Sequence, residues 1–131
     1  MRKVLLDTNV YCAFKKNNKK IVDAFKHLDY IGIDITMLAE LYSGFKSGNK
    51  ETINRNELEC FLNSKRVHIL NHNDITADFY AYIFDTLKKK GTPIPTNDIW
   101  IAAVALQNGL TLFTLDKHFQ NIDGLLLKNN L

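Results

Sequence analysis

Lys3-Val4-Leu5-Leu6-Asp7-Thr8-Asn9 is a short apolar run stopped by an acid, a threonine and an asparagine. Val4–Leu6 shows no polar alternation, so it reads as a strand covered on both faces. Such strands occupy the middle of parallel sheets. Asp7 then falls at the strand's carboxyl end, where open α/β sheets bind their ligands. A carboxylate there must be solvated, serve as a helix cap or bind a cation, because a bare buried charge is too costly. A plain capping role for Asp7 or Asn9 on the next helix is the simpler alternative.

Outward from that strand, elements of two periods alternate. Val10–Phe14 reads as a short helix, followed by a basic break at Lys15–Lys20. Ile21, Val22, Phe25 and Leu28 recur at helical spacing. Ile31–Ile35 is a second strand, and Asp34 within it suggests an exposed face or an edge. Thr36 is a fair helix cap, with Glu40 in the first turns of an otherwise apolar helix. Residues 44–56 are rich in Gly, Ser, Asn and Lys and are expected to form a hinge or mobile arm. Ile53, Leu58, Phe61 and Leu62 give the next helix one apolar stripe, and Val67–Leu70 a third strand. His68 there is expected to be a structural histidine rather than a ligand.

Asn73–Lys90 predicts the longest helix, with Ile75, Phe79, Tyr82, Ile83 and Leu87 inward, Asn73 and Asp74 at its start and Gly91 as its stop. The prolines at 93 and 95 predict an extended approach to a helix apolar almost all round, Ile99–Leu106, which must be central. Asp98 is expected as its first residue or its cap. Leu110–Thr114 is a fourth strand, ending in Thr114 and Asp116; Leu125–Leu127 is a last short one, and 128–131 a tail.

The totals set bounds. A chain of 131 residues, 46% hydrophobic, suits one domain with a real core, spanning 1–131. The formal charge of +3 is compatible with a nucleic-acid partner without implying one. Two cysteines, Cys12 and Cys60, form neither a disulfide framework nor a zinc spacing, and are expected to be reduced packing residues of a cytoplasmic protein. No apolar run approaches the roughly 20 residues of a membrane span, and Asp7 interrupts any signal-peptide core.

Strand–helix alternation predicts an α/β three-layer sandwich around a central parallel sheet of four to five strands. Its strands end on one rim, which would gather Asp7, Glu40, Asp98 and Asp116. Carboxylates brought together repel unless a cation neutralises them. Oxygen donors without cysteine point to Mg²⁺ or Mn²⁺, and such a site performs phosphoryl chemistry.

Four segments then carry a resemblance: Leu5-Leu6-Asp7-Thr8-Asn9, Leu38-Ala39-Glu40-Leu41-Tyr42-Ser43-Gly44, Pro95-Thr96-Asn97-Asp98-Ile99-Trp100-Ile101-Ala102-Ala103 and Thr114-Leu115-Asp116-Lys117-His118-Phe119. In this order they resemble the motifs of PIN-domain ribonucleases, most of all the toxin subunit of VapBC-type toxin–antitoxin pairs. The resemblance implies a PIN-like fold and a Mg²⁺- or Mn²⁺-dependent endoribonuclease acting on structured RNA (tRNA or rRNA). It also implies silencing by a cognate antitoxin, and a homodimer formed through the Phe25 or Phe61 helices. Asp7, Glu40, Asp98 and Asp116 would be the catalytic, metal-binding acids, with Asn9 and Thr114 as polar support. His118 stands where many relatives carry a further acid. A catalytically inactive PIN-like module that binds RNA or a partner is the alternative. A haloacid-dehalogenase-type phosphatase is disfavoured, because it needs an acid where this chain has Asn9.

Overall fold

The structure, a computed structural model, describes residues 2–128; apart from Lys128, the expected tail lies outside them. Five parallel strands form one sheet: β1 (Lys3–Leu6), β2 (Tyr30–Asp34), β3 (Val67–Leu70), β4 (Thr111–Phe113) and β5 (Leu127–Lys128), in the spatial order β3-β2-β1-β4-β5. β1 is central, as its unbroken apolar run predicts. It pairs Val4–Leu6 with Thr111–Phe113 on one side and Lys3–Leu5 with Tyr30–Gly32 on the other.

Side-chain alternation along β1 divides the core. Val4 and Leu6 join one buried cluster and Leu5 the other. The first cluster is closed by α1 (Thr8–Lys15), α2 (Lys19–Phe25), α3 (Ile35–Ser47) and α4 (Glu51–Leu62). The second is closed by α5 (Asp74–Lys90) and α6 (Thr96–Gln107), with a one-turn 3₁₀ helix at Lys117–Asn121. This is the expected three-layer sandwich. Ile99 and Ile101–Ala105 of α6 are all buried, so this helix is the spine of the second layer. At Gly32, an added Cβ would come within 3.0 Å of the Leu70 side chain and 3.2 Å of Leu5 and Leu110, so glycine lets the second layer close on β2.

Several local expectations are corrected. Asp34 lies neither at an edge nor on an exposed face. It ends β2, between β1 and β3, with no exposure, and its Oδ1 is 2.6 Å from His72 Nε2. Burial raises the Asp34 carboxyl, against the lowering effects of Thr36 and His72. Helix α3 starts right after it at Ile35, so Thr36 is inside the helix and Glu40 is its sixth residue. The expected hinge at 44–56 is mostly helical: α3 runs to Ser47 and α4 resumes at Glu51. Ion pairing of Lys46 with Glu51, at 3.1 Å, spans the short turn.

Ile53, Ile75 and Tyr82 are exposed rather than core-facing, whereas Leu58, Ile83 and Leu87 are buried as expected. Both cysteines are exposed instead of packed. Phe25 is 2% exposed and stacks on Phe14 at 4.3 Å, and Phe61 packs against the same cluster, so this aromatic group closes the core. His68 is structural, stacked on Tyr30 at 4.4 Å. Among the described residues no helix is long and apolar enough to cross a membrane.

Candidate active site

The chain runs β1, β2, β3 outward in one direction and then returns to place β4 on the other side of β1. The strand order therefore reverses between β1 and β4. A crevice opens there at the carboxyl ends of the strands, since the flanking connections leave in opposite directions. Asp7 follows β1 and Thr114 follows β4. The Asp7 amide donates to the Phe113 carbonyl at 2.9 Å, which extends the pairing one residue past β1.

Asp7 is also the N-cap of α1, its Oδ1 accepting from the Thr8 amide at 2.8 Å. Its other oxygen, Oδ2, accepts from the Thr114 hydroxyl at 2.7 Å. Thr114 is itself fully buried, and its Oγ1 accepts from the Asp116 amide at 2.9 Å. Asn9, in the first turn of α1, takes the Leu115 amide on its Oδ1 at 3.2 Å. Both of the expected supporting residues thus bind the loop after β4 to the start of α1.

Glu40 reaches the crevice from the second turn of α3, where the Thr8 hydroxyl donates to its Oε1 at 2.6 Å. Asp98 enters from α6. It is the third residue of that helix, Pro95 being the cap position, so it caps nothing and faces the positive end of the helix dipole. Asp116 precedes the 3₁₀ helix and caps it by accepting from the His118 amide at 2.9 Å. The His118 ring bridges the last two acids, with Nδ1 3.0 Å from Asp98 Oδ2 and 3.2 Å from Asp116 Oδ2.

Asp7, Glu40, Asp98 and Asp116 line one open cleft of about 540 Å³, together with Thr8, Asn9, Cys12, Ala13 and Lys16. All four expected acids therefore share one site. Asp7 is the most enclosed, 5% exposed. Burial is the largest influence on its carboxyl and raises it. The Thr114 and Thr8 hydrogen bonds oppose that, nearby Asp98 and Glu40 add to it, and the group rests at about 6. Hydrogen bonding to Asp98 and the charge of Asp116 push the exposed His118 imidazole up.

This donor set fits a hard divalent cation. It offers carboxylate oxygens from three layers of the fold, one of them, Asp7, made hard to ionise first by burial and then by the nearby Asp98 and Glu40. Asp98, Asp116 and His118 each offer a donor atom within 4.8 Å of the others.

Sequence reasoning missed one contributor: Thr8 couples Asp7 to Glu40, and only its place between Asp7 and Asn9 hinted at that. Lys16, from the basic break at Lys15–Lys20, also lines the cleft.

Residues 4–125 match the model of the PIN domain family. The chain belongs to that family. Ribonuclease VapC1 of Haemophilus influenzae (strain R2866) is 37% identical to it over 127 residues, 92% of each chain. Among solved structures, VapBC2 from Rickettsia felis bound to a DNA fragment from its promoter is similar with a TM-score of 0.89. That match has 29% identity and covers 98% of this chain and 99% of that one. VapBC-1 from nontypeable Haemophilus influenzae gives 0.86 at 31% identity, covering 97% of both. The chain is accordingly a PIN-domain ribonuclease of the VapC type, with a parallel sheet and helix layers like those of its relatives.

Proposed function

We propose that this PIN-domain protein is a Mg²⁺- or Mn²⁺-dependent endoribonuclease, that Asp7, Glu40, Asp98 and Asp116 form its catalytic centre, and that a cognate antitoxin silences it. The observation that carries this reading is Asp7. An acid hydrogen-bonded by Thr8 and Thr114, yet raised to about 6 by burial and by Asp98 and Glu40, sits in a cleft shared with three further acids. Asp7 and Asp98 would hold the cation, with Asp116 completing the set. A divalent cation there supplies charge for the phosphate and acidifies water.

The chain's own residues do the rest. Thr114 and Thr8 fix both Asp7 oxygens, so the carboxylate cannot rotate away from the cleft. Thr8 also fixes Glu40, whose carboxylate takes the proton of the attacking water. Water adds to phosphorus opposite the 3′ oxygen, the P–O3′ bond breaks, the leaving 3′ oxygen takes a proton from solvent, and the ends are 5′-phosphate and 3′-hydroxyl. Lys16 at the cleft steers phosphate of any sequence.

An antitoxin fits the same cleft if it lays an apolar segment over it and inserts an arginine among the acids. The resemblance to VapBC toxins and the VapBC relatives support that partner. A homodimer is expected on the same ground, its contact made without Phe25, which lies in the core. Asp98→Asn is expected to abolish cleavage of structured RNA and growth arrest while leaving the circular dichroism spectrum unchanged. Full cleavage by that variant, or by the wild-type chain in EDTA, would overturn the assignment.

A further inference from the structure

We propose that His118 is a nitrogen ligand of the metal centre and gives one half of the site a preference for Mn²⁺ over Mg²⁺. This rests on the nuclease reading above and refines it. The cleft has two halves. Asp7 and Glu40, tied together through Thr8, present oxygen alone. Asp98 and Asp116 converge instead on an imidazole.

The geometry of the second half is that of neighbouring ligands around one ion. Adjacent donors of an octahedral cation, each about 2.1 Å from it, lie about 3 Å apart. His118 Nδ1 is 3.0 Å from Asp98 Oδ2 and 3.2 Å from Asp116 Oδ2. Nδ1 is thus the ring nitrogen aimed at both acids. The ring is held there by its own backbone, since the His118 amide donates to Asp116 Oδ1 at 2.9 Å. The buried Phe119, next in sequence, anchors the one-turn helix to the second core cluster. The imidazole is therefore presented by a fixed turn.

Nitrogen changes which ion wins. Mg²⁺ binds imidazole poorly and keeps its waters, whereas affinity for nitrogen donors rises from Mn²⁺ onward along the first transition row. A mixed pair of carboxylates and one imidazole discriminates where an all-oxygen set would not. An acid at position 118 would erase that difference.

The test uses the full chain without RNA, titrated with Mn²⁺ or Mg²⁺ alone. Pulsed electron paramagnetic resonance of the Mn²⁺-loaded protein is expected to show nitrogen hyperfine coupling. The coupling should vanish in His118→Ala and His118→Asp, with folding checked by circular dichroism. Calorimetric competition should show Mn²⁺ preferred by about tenfold or more in the wild type. That preference should shrink several-fold in His118→Asp. No nitrogen coupling in the wild type, or an unchanged preference in His118→Asp, overturns the proposal. A separate RNase assay with Asp98→Asn reports on the nuclease reading, so loss of one conclusion is seen apart from the other.

Discussion

Replacing Asp7 by asparagine should make the metal-free protein more stable at neutral pH while destroying its activity. The native carboxyl sits at about 6 against a reference of 3.8. The folded state therefore holds a proton between those values that the unfolded state has released. Stability falls as pH rises through that window: the penalty is absent below about 3.8 and complete above about 6. Its full size is about 3 kcal/mol, with little screening because Asp7 is 5% exposed.

An asparagine keeps one carbonyl oxygen for the Thr8 amide but loses the charged acceptor of the Thr114 hydroxyl, which costs about 1 kcal/mol. The net gain is about 2 kcal/mol, or a rise in Tm of roughly 5–10 °C for a chain of this size. Thermal unfolding in EDTA near pH 7.5 measures it, and the gain should disappear by about pH 4.5, where the wild-type group is protonated. Added Mn²⁺ should raise the wild-type Tm more than the variant's. An Asp7→Asn protein that is less stable than wild type in EDTA at neutral pH would refute the reasoning.

Thr114→Val removes a donor from the buried Asp7 and an acceptor from the Asp116 amide. It should cost about 1–3 kcal/mol in urea unfolding and cut cleavage at limiting Mg²⁺ more than at saturating Mg²⁺. Gly32→Ala pushes a methyl group toward the Leu70, Leu5 and Leu110 side chains, for a loss of about 1–3 kcal/mol measured the same way. Asn73→Ala breaks a capping box in which Asn73 and Thr76 serve each other's backbone amides. It should cost about 1 kcal/mol and speed amide exchange in the first turn of α5 without changing RNA cleavage.

The fold was legible where burial leaves a one-sided mark. Val4–Leu6 had to be central because no polar residue interrupts it, and Ile99–Leu106 had to be a spine for the same reason. Asp34 misled because its partner, His72, lies 38 positions away and beyond the third strand; only the folded chain reveals that a buried Asp34 Oδ1 meets the His72 ring. Residues 44–56 misled because one glycine costs a helix only about 1 kcal/mol, and the buried face of α3 at Met37, Leu38 and Leu41 carries the helix through Gly44 to Ser47. Ile75 and Tyr82 fit the inward period by type but fall on the wet face of α5. The four acids could be flagged because each follows a strand or opens a helix. Their shared cleft depended on where the strand order reverses, and Thr8 acquired meaning only when Glu40 came within reach of its hydroxyl.

The pairing of β1 with β4 joins residues 4–6 to 111–113. On the ribosome, the first of these segments emerges long before the second is translated. Until Thr114 has cleared the exit tunnel, Asp7 lacks its hydroxyl partner, and Asp98 and Asp116 have no neighbour to face. A half-made chain therefore lacks the assembled cleft, which exists only once residues 111–116 have joined β1. Any inhibitor must be waiting at that moment.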